Sequence, residues 1–312
     1  MLAGALVAQD GRVLLAQRPE GKHLAGGWEF PGGKKDLGET RKAALARELR
    51  EELGVELRSG RPLIRFTHAY PDRVVDLDVW RVDAWDGEPR GLDGQALAWC
   101  RLHELEQQGL LPADRPIVTA LELPPLVAIT PGERDPRVLR AWIDQAIGAG
   151  AGLVQLRVPG LRPAALADLA RVLAPECHRR DVRFVVNGVD PVLAALVREG
   201  IIDGLHCPGR LLRKPGRPDT FAGYFGASCH DPAELEQAAA AGADYAFLSP
   251  VKQTRSHPGG TFLGWERFAE WAAPLRLPVY ALGGLTVRDL ETAWDAGAQG
   301  IAGIRGFQLP RA

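Results

Sequence analysis

The sequence predicts two domains of different class. Residues 1–122 read as an α+β domain with a mixed sheet between helices, and residues 126–312 as a small α/β (β/α)₈ barrel, with a linker at 123–125. Three observations predict this. First, 312 residues is about twice the length of one ordinary domain. Second, Leu123-Pro124-Pro125 breaks the pattern, because proline lacks a backbone donor and fixes φ. Third, eight apolar strand-like runs follow the break, with Ala/Leu-rich helical stretches between most of them, the rhythm of a parallel barrel. The strand count and the Gly-rich ends of the last two runs favour the barrel over an open doubly wound sheet.

Taken in order, the apolar runs 2–9 and 11–19 meet at Asp10-Gly11, a strong hairpin-turn signal. A helix follows over 40–53, with Thr40 as N-cap and Gly54 just past its end. Leu45, Leu49 and Leu53 recur at i, i+4, i+8 and form its buried stripe. Runs 63–70 and 74–85 flank Pro71-Asp72-Arg73 and read as strands, and a short helix begins near Pro116. The barrel strands fall at 126–130, 152–158, 183–187, 203–207, 224–228, 245–249, 278–284 and 300–304. Helices are clearest at 137–148, 164–174 and 231–241.

Composition narrows the function. The 38 basic and 39 acidic residues nearly cancel, which argues against a binder of nucleic-acid polymers or membrane surfaces. No apolar run approaches the ~18 residues of a spanning helix, and no signal segment follows Met1. Four cysteines without a CxxC pair fit a reducing, cytoplasmic setting. Cys177-His178, His206-Cys207 and Cys229-His230 lack zinc-site spacing, and neighbours on a strand point to opposite faces.

The sharpest signal lies in the 40–53 helix. Glu48, Glu51 and Glu52 share one side at i, i+3, i+4. Like charges so spaced destabilise a bare helix. A hard cation with oxygen ligands removes the repulsion, and Mg²⁺ also prefers water and substrate phosphate. The surrounding string is G-x5-E-x7-R-E-U-x-E-E-x-G-U with U aliphatic, running from Gly33 through Glu39 and Arg47 to Val55. At every fixed position it resembles the box of the Nudix hydrolases. Residues 4–121 are similar, within that family, to the mutator-type (MutT) 8-oxo-dGTP diphosphatases. Glu29-Phe-Pro-Gly-Gly-Lys34, Tyr70-Pro-Asp-Arg73, Trp85-Asp-Gly-Glu-Pro89 and Asp93-Gly-Gln95 carry this likeness.

The resemblance implies Mg²⁺, with Mn²⁺ as the other candidate, and attack of activated water at a phosphorus. A nucleoside triphosphate would give a monophosphate and pyrophosphate. It implies Glu48 as base and metal ligand, Glu51, Glu52 and the Gly32 carbonyl as further ligands, Glu39 as support and Arg47 as the group orienting Glu48. Asp93 takes a late acidic ligand's place, where the family has Glu. Arg18, His23, Tyr70, Asp72 and Arg73 fall at nucleotide-site positions. Phe30 and Tyr70 either sandwich a base or are core aromatics. Asp114 stands where the family has Asn. It is either a purine reader, which needs a proton to regain a donor, or a helix N-cap before Pro116.

Residues 126–308 resemble thiamine phosphate synthase and its relative, the thiazole tautomerase. The likeness rests on Gln155-Leu-Arg157, Gly226-Ala-Ser-Cys-His230, Gly242-Ala-Asp-Tyr245, Ser249-Pro250 with Thr254 and Ser256, and Leu282-Gly-Gly284. Gly283, Gly284, Gly303 and Arg305 form either a phosphate cradle or tight turns. The synthase pattern has Asn-Asp and an acidic loop where this chain has Asn187-Gly188 and Cys207-Pro208-Gly209. Val158-Pro159-Gly160 replaces a basic residue, and His257 replaces a lysine. Such a site holds Mg²⁺ poorly. The tautomerase needs no metal. Its acid–base His aligns with His230, which otherwise is a buried, hydrogen-bonded histidine.

The leading expectation is therefore a Mg²⁺-dependent pyrophosphohydrolase of 8-oxo-dGTP-type nucleotides, fused to a degenerate barrel. The alternative is a hydrolase of pyrophosphorylated thiamine precursors, its barrel a tautomerase-like enzyme or a binder of phosphorylated ligands.

Overall fold

The computed structural model describes residues 1–21, 24–105, 107–212, 217, 221–254 and 259–307. The chain separates into two units, Met1–Leu123 and Pro124–Ala312.

In the first unit, β1 (Leu2–Leu6), β2 (Val13–Gln17) and β3 (Trp28–Glu29) precede α1 (Arg41–Leu53). Strands β4 (Glu56–Ala69), β5 (Val74–Asp86) and β6 (Leu97–Cys100) follow, then α2 (Arg115–Glu122). They form two three-stranded sheets, β1-β5-β4 and β3-β2-β6. The first is mixed, because β5 runs parallel to β1 and antiparallel to β4.

The Asp10-Gly11 turn forms, with Gly11 at φ 80° donating to the Ala8 carbonyl. The hairpin expected around it is cut short, with Ala8 N–H donating to the Arg12 carbonyl at 2.8 Å. One Val7–Val13 bridge joins the arms among the described residues, and then β1 and β2 enter different sheets. Burial explains the split. Leu2 and Leu6 face the cluster containing α1, whereas Ala3 and Ala5 face the cluster containing α2. Buried on both faces, β1 behaves as a central strand. Its second edge is taken by the segment 31–33, through Leu2 N–H to the Gly33 carbonyl and Gly4 N–H to the Pro31 carbonyl.

Helix α1 follows its sequence signals. Thr40 Oγ1 accepts the Ala43 N–H at 3.2 Å, and Gly54 caps the other end at φ 69°. Leu45, Leu49 and Leu53 are fully buried, each worth ~2 kcal/mol of apolar burial. The helix packs closely over β1 at Gly4, where a Cβ would lie 3.2 Å from Leu49. With that stripe fixed inward, the carboxylate side must face outward.

The second unit alternates β7 (Leu126–Ile129), α3 (Pro136–Gly148), β8 (Leu153–Leu156), α4 (Pro163–His178), β9 (Arg183–Asn187), α5 (Pro191–Arg198) and β10 (Gly204–Cys207). It continues with β11 (Tyr224–Cys229), α6 (Pro232–Ala240), β12 (Tyr245–Leu248), α7 (Gly264–Ala272), β13 (Val279–Leu282), α8 (Leu290–Asp295) and β14 (Gly300–Gly303). The eight strands close into a parallel barrel, with β14 beside β7 and β9 beside β10. Among the described residues, a 3₁₀ turn at Gly209–Leu211 is the only helical piece between β10 and β11. Tyr245, Phe247 and Tyr280 fill the interior. No helix among the described residues is long and apolar enough to cross a membrane.

The seam between β14 and β7 depends on one missing side chain. A Cβ on Gly300 would sit 1.9 Å from the Pro125 carbonyl oxygen, a backbone atom that already accepts the Ile301 N–H. Gly300→Ala should therefore cost more than ~1 kcal/mol and lower the barrel's Tm by at least ~3 °C in calorimetry. An unchanged transition would show that the seam can yield.

Candidate active site

The carboxylate cluster of the first unit is organised by one guanidinium. Arg47 Nε donates to Glu39 Oε1 at 2.9 Å. Its Nη1 donates to Glu48 Oε1 at 2.9 Å and Glu51 Oε2 at 3.1 Å. Its Nη2 donates to Glu39 Oε2 at 3.0 Å and the Lys34 carbonyl at 2.9 Å. Charge-assisted bonds of this kind favour the ionised acid. The two bonds from Arg47, helped by the Asp36 N–H, hold Glu39 down to about 2. The same acids push Arg47 upward, Glu39 first.

The segment 31–33 lies against this cluster because it is pinned to β1. Gly32 N–H donates to Glu52 Oε2 at 2.9 Å. A side chain at Gly32, at φ 147°, would meet the Leu2 carbonyl at 2.2 Å. A Cβ on Gly33 would overlap Glu48 Oε2 at 2.2 Å. These two glycines let backbone and carboxylates share the same space.

The donors are all oxygen and anionic, which suits a hard divalent cation. Glu48 and Glu51 already converge on one positively charged atom, Arg47 Nη1. Among the described residues no three His, Cys, Asp or Glu side chains meet at metal-binding distance as they stand. Each of these glutamates is instead held by a donor of its own chain. Asp93 lies exposed on the loop between β5 and β6, with its N–H bonded to Gln95 Oε1 at 2.8 Å.

A second group centres on Asp114. The segment 109–114 runs beside Trp28, joined by Trp28 N–H to the Gly109 carbonyl and Leu111 N–H to the Trp28 carbonyl. This brings Asp114 against the Phe30 N–H, which donates to its carboxyl. Asp114 precedes α2, but its side chain makes no capping bond. It is 6% exposed, and its Oδ2 has no hydrogen-bond partner. Burial, reinforced by nearby Glu29 and opposed by the Phe30 N–H and Arg18, raises it to about 8. Burial therefore favours the neutral form of Asp114 at pH 7, and its Oδ2 has no hydrogen-bond partner in the chain. Arg18 pairs with Glu29 at 2.7 Å beside it.

The other expected residues fall elsewhere or outside the description. The Phe30 side chain is buried in the core, and Tyr70 packs against that cluster, edge-on to His68. Asp72 and Arg73 pair with each other at 2.7 Å on an exposed turn. His23 and Ser256 lie outside the described residues. Glu29 was not singled out in sequence. Its signal was its place at the head of Glu29-Phe-Pro-Gly-Gly.

In the barrel, Thr130 Oγ1 bonds both the N–H and the carbonyl of Arg157, tying the ends of β7 and β8. Gln155 is 1% exposed, with an unpartnered Nε2. Asn187 ends β9 beside His206. His206 is wholly buried, with Nε2 2.8 Å from Ser228 Oγ. Burial, with Arg157 adding to it, pushes His206 down to about 3, so it is neutral. His230 is not buried. Its side chain is 58% exposed, and Glu234 Oε2 bonds both its Nδ1 and its N–H. Thr254, Gly283, Gly284, Gly303 and Arg305 line a cleft of about 490 Å³. Gly283 and Gly284 have φ 103° and 69°, and a Cβ on Gly284 would strike the Gln253 carbonyl at 2.4 Å.

Comparison with known proteins follows this division. Residues 2–120 match the NUDIX domain family, and residues 126–307 match the thiamine monophosphate synthase family. The CTP pyrophosphohydrolase of Escherichia coli is 40% identical over 119 residues, which are 38% of this chain and 88% of the relative. An 8-oxo-dGTP diphosphatase of Haemophilus influenzae is 38% identical over 119 residues, again 38% and 88%. The thiamine-phosphate synthase of Gloeobacter violaceus is 34% identical over 167 residues, 52% of this chain and 47% of that relative.

Asp114 makes a prediction with a definite sign. Between its unfolded value of 3.8 and its folded value of about 8, the native state holds a proton that the unfolded chain has lost. Its contribution to stability therefore falls as pH rises through that window. Asp114→Asn does not titrate and escapes the penalty. Denaturant unfolding from about pH 5 to about pH 9 should show the variant gaining on the parent up to about pH 8, then a constant difference. A pH-independent difference would mean that Asp114 is ionised when folded.

Proposed function

The chain belongs to the NUDIX family through its first domain and to the thiamine monophosphate synthase family through its barrel, and on that premise we propose that it is a Mg²⁺-dependent pyrophosphohydrolase of nucleoside triphosphates. The reaction splits the substrate into a nucleoside monophosphate and pyrophosphate. The observation that carries this reading is the segment 29–33. Its first residue, Glu29, lies beside Arg18 and Asp114, and its last two, Gly32 and Gly33, touch Glu52 and Glu48. Five residues span at most ~14 Å from first to last Cα. One nucleotide can therefore reach both a base-reading group and the carboxylate cluster.

The carboxylates Glu48, Glu51 and Glu52 would hold the cation, with Gly32 beside them. Mg²⁺, when bound, neutralises charge on the phosphates and makes water more acidic. Glu48 is the base. Arg47 occupies its Oε1 and leaves Oε2, on the Gly33 side, to take a proton. Glu39, pinned by two bonds to Arg47, prevents that guanidinium from swinging away. Neutral Asp114 presents a donor at Oδ2 and an acceptor at its other oxygen. That pair complements the N7–H and O6 of 8-oxoguanine, and equally the N3 and N4 amino group of cytosine.

The second pairing supports a second reading. Thiamine's pyrimidine is a 4-aminopyrimidine with the same N3 and amino edge as cytosine, and the barrel belongs to a thiamine-pathway family. A pyrophosphorylated hydroxymethylpyrimidine is then a substrate of the same pocket. The barrel's glycine-lined cleft and Arg305 suit a monophosphate ligand, while Asn187-Gly188 and Cys207-Pro208-Gly209 supply no acid for a metal.

Pyrophosphate release should be measured from 8-oxo-dGTP, dGTP and CTP, and inorganic phosphate release from hydroxymethylpyrimidine diphosphate, whose single anhydride yields the monophosphate and phosphate, with Mg²⁺ and with Mn²⁺. At least one should turn over, and Glu48→Gln should reduce kcat by ~10²-fold or more. Release from none, or equal rates in the variant, overturns the proposal. The highest kcat/KM decides between the two readings. Above about pH 8 the parent's KM should rise as Asp114 loses its proton, whereas that of Asp114→Asn should not. Calorimetric titration with thiazole phosphate and thiamine phosphate tests the barrel, where heat from neither would leave it without a phosphate ligand of this class.

A further inference from the structure

We propose that Gln95 is a positioning residue that fixes Asp93 against the carboxylate helix and thereby sets the affinity of the site for a divalent cation. The inference rests on the proposed reading of Glu48, Glu51 and Glu52 as cation ligands, joined by Asp93 at the position where the family resemblance places a late acidic ligand. Its evidence is a set of bonds that no ligand assignment requires.

The loop after β5 returns to the C-terminal end of α1. Arg90 N–H donates to the Leu53 carbonyl and Leu92 N–H to the Glu52 carbonyl, each at 3.0 Å. Carbonyls of a last helical turn have no partner within the helix, so the loop serves as an external cap. Gln95 completes the attachment with its side chain. Its Nε2 donates to the Glu52 carbonyl at 3.0 Å, and its Oε1 accepts the Asp93 N–H at 2.8 Å. One amide therefore joins the backbone of Asp93 to the backbone of Glu52. The next residue is anchored from the other side, because Gln17 N–H donates to the Ala96 carbonyl at 2.9 Å. The loop can fold this tightly because a Cβ on Gly91 would lie 2.0 Å from the Gln95 carbonyl oxygen, and Gly94 sits at φ 78°.

The chemistry at position 95 is exacting. The residue must donate and accept at once, over the length of a glutamine. Glutamate offers acceptors alone and would face the Glu52 carbonyl with a negative charge, and lysine offers donors alone. The demand is sharper because residue 93 is aspartate. Its short side chain reaches less far than glutamate would, so a shift of its backbone is not recovered by a change of rotamer. Groups that hold a metal ligand in place typically change metal affinity by ~10–100-fold when removed.

The test is Mn²⁺ binding to the full chain without nucleotide, followed by electron paramagnetic resonance, with thermal unfolding recorded in parallel. Gln95→Met keeps size and loses both bonds, and it should weaken Mn²⁺ binding by ~10-fold. Gln95→Glu keeps size and the acceptor, should weaken it comparably, and gives the answer if the methionine variant does not fold. Asp93→Asn should resemble Gln95→Met, and the double variant should be no worse than the weaker single one, because the two act through one ligand. Binding within ~2-fold of the parent in the folded Gln95 variants overturns the proposal, as do independent losses that multiply in the double variant. A lowered Tm with unchanged Mn²⁺ affinity assigns Gln95 a structural role alone and equally overturns it. Parent protein that binds no Mn²⁺ defeats the metal reading itself, a different outcome from failure of the glutamine variants.

Discussion

The order of the first domain's carboxylate cluster hangs on the Arg47 guanidinium. Helix α1 must turn its leucine stripe inward, and geometry then crowds its acids on the outer side. Arg47 receives three of the nearby carboxylates, those of Glu39, Glu48 and Glu51, and the Lys34 carbonyl as well. A lysine has no planar fork with which to serve them. Three carboxylates against one cation leave a formal charge of −2 (−3 + 1). Arg47 thus orders the acids without neutralising them. The remaining negative charge suits a hard cation.

The barrel's cleft is lined by the opposite kind of group. It is lined by glycines and Arg305, where the first domain has acids. Lys252, which follows the Ser249-Pro250 turn, is held by Asp289 at 2.5 Å. His206 is kept neutral by burial and by Arg157. Such a cleft suits a phosphate that is to be held rather than cleaved, consistent with the missing acidic residues at 188 and 208–209.

Much of this was legible in the sequence because it is local. The ends of α1 were written in Thr40 and Gly54, its stripe in three leucines, and its chemistry in the spacing of Glu39, Arg47 and the three glutamates. The barrel strands were legible because each is an apolar run buried on both sides. What escaped depends on partners distant in sequence. Strand β3 is two residues long and exists because Trp28 and Glu29 pair with β2 and lie beside Leu110. The Asp10-Gly11 turn was visible, but nothing local says that its two arms enter different sheets. Gln95 meets Glu52 across 43 positions, and Glu29 gains its meaning beside Arg18 and Asp114. His230 read equally as a buried histidine, and only the fold shows it on the surface with Glu234.

Asp114 shows how far a site can depart from what stability alone would choose. A residue next to α2 with an acid side chain is placed well for capping, yet it does not cap. It takes one N–H from Phe30 and leaves its second oxygen buried and unpartnered. An asparagine would fill the same volume without the proton it must hold at neutral pH. The fold therefore carries a destabilising group whose removal is chemically easy, which is the pattern expected of a residue kept for a ligand rather than for the core. On the proposed reading, the ligand is constrained by what Asp114 offers. It must supply an acceptor for an O–H and sit within a nucleotide's length of Glu48. A base edge on a pyrophosphorylated substrate satisfies both demands at once.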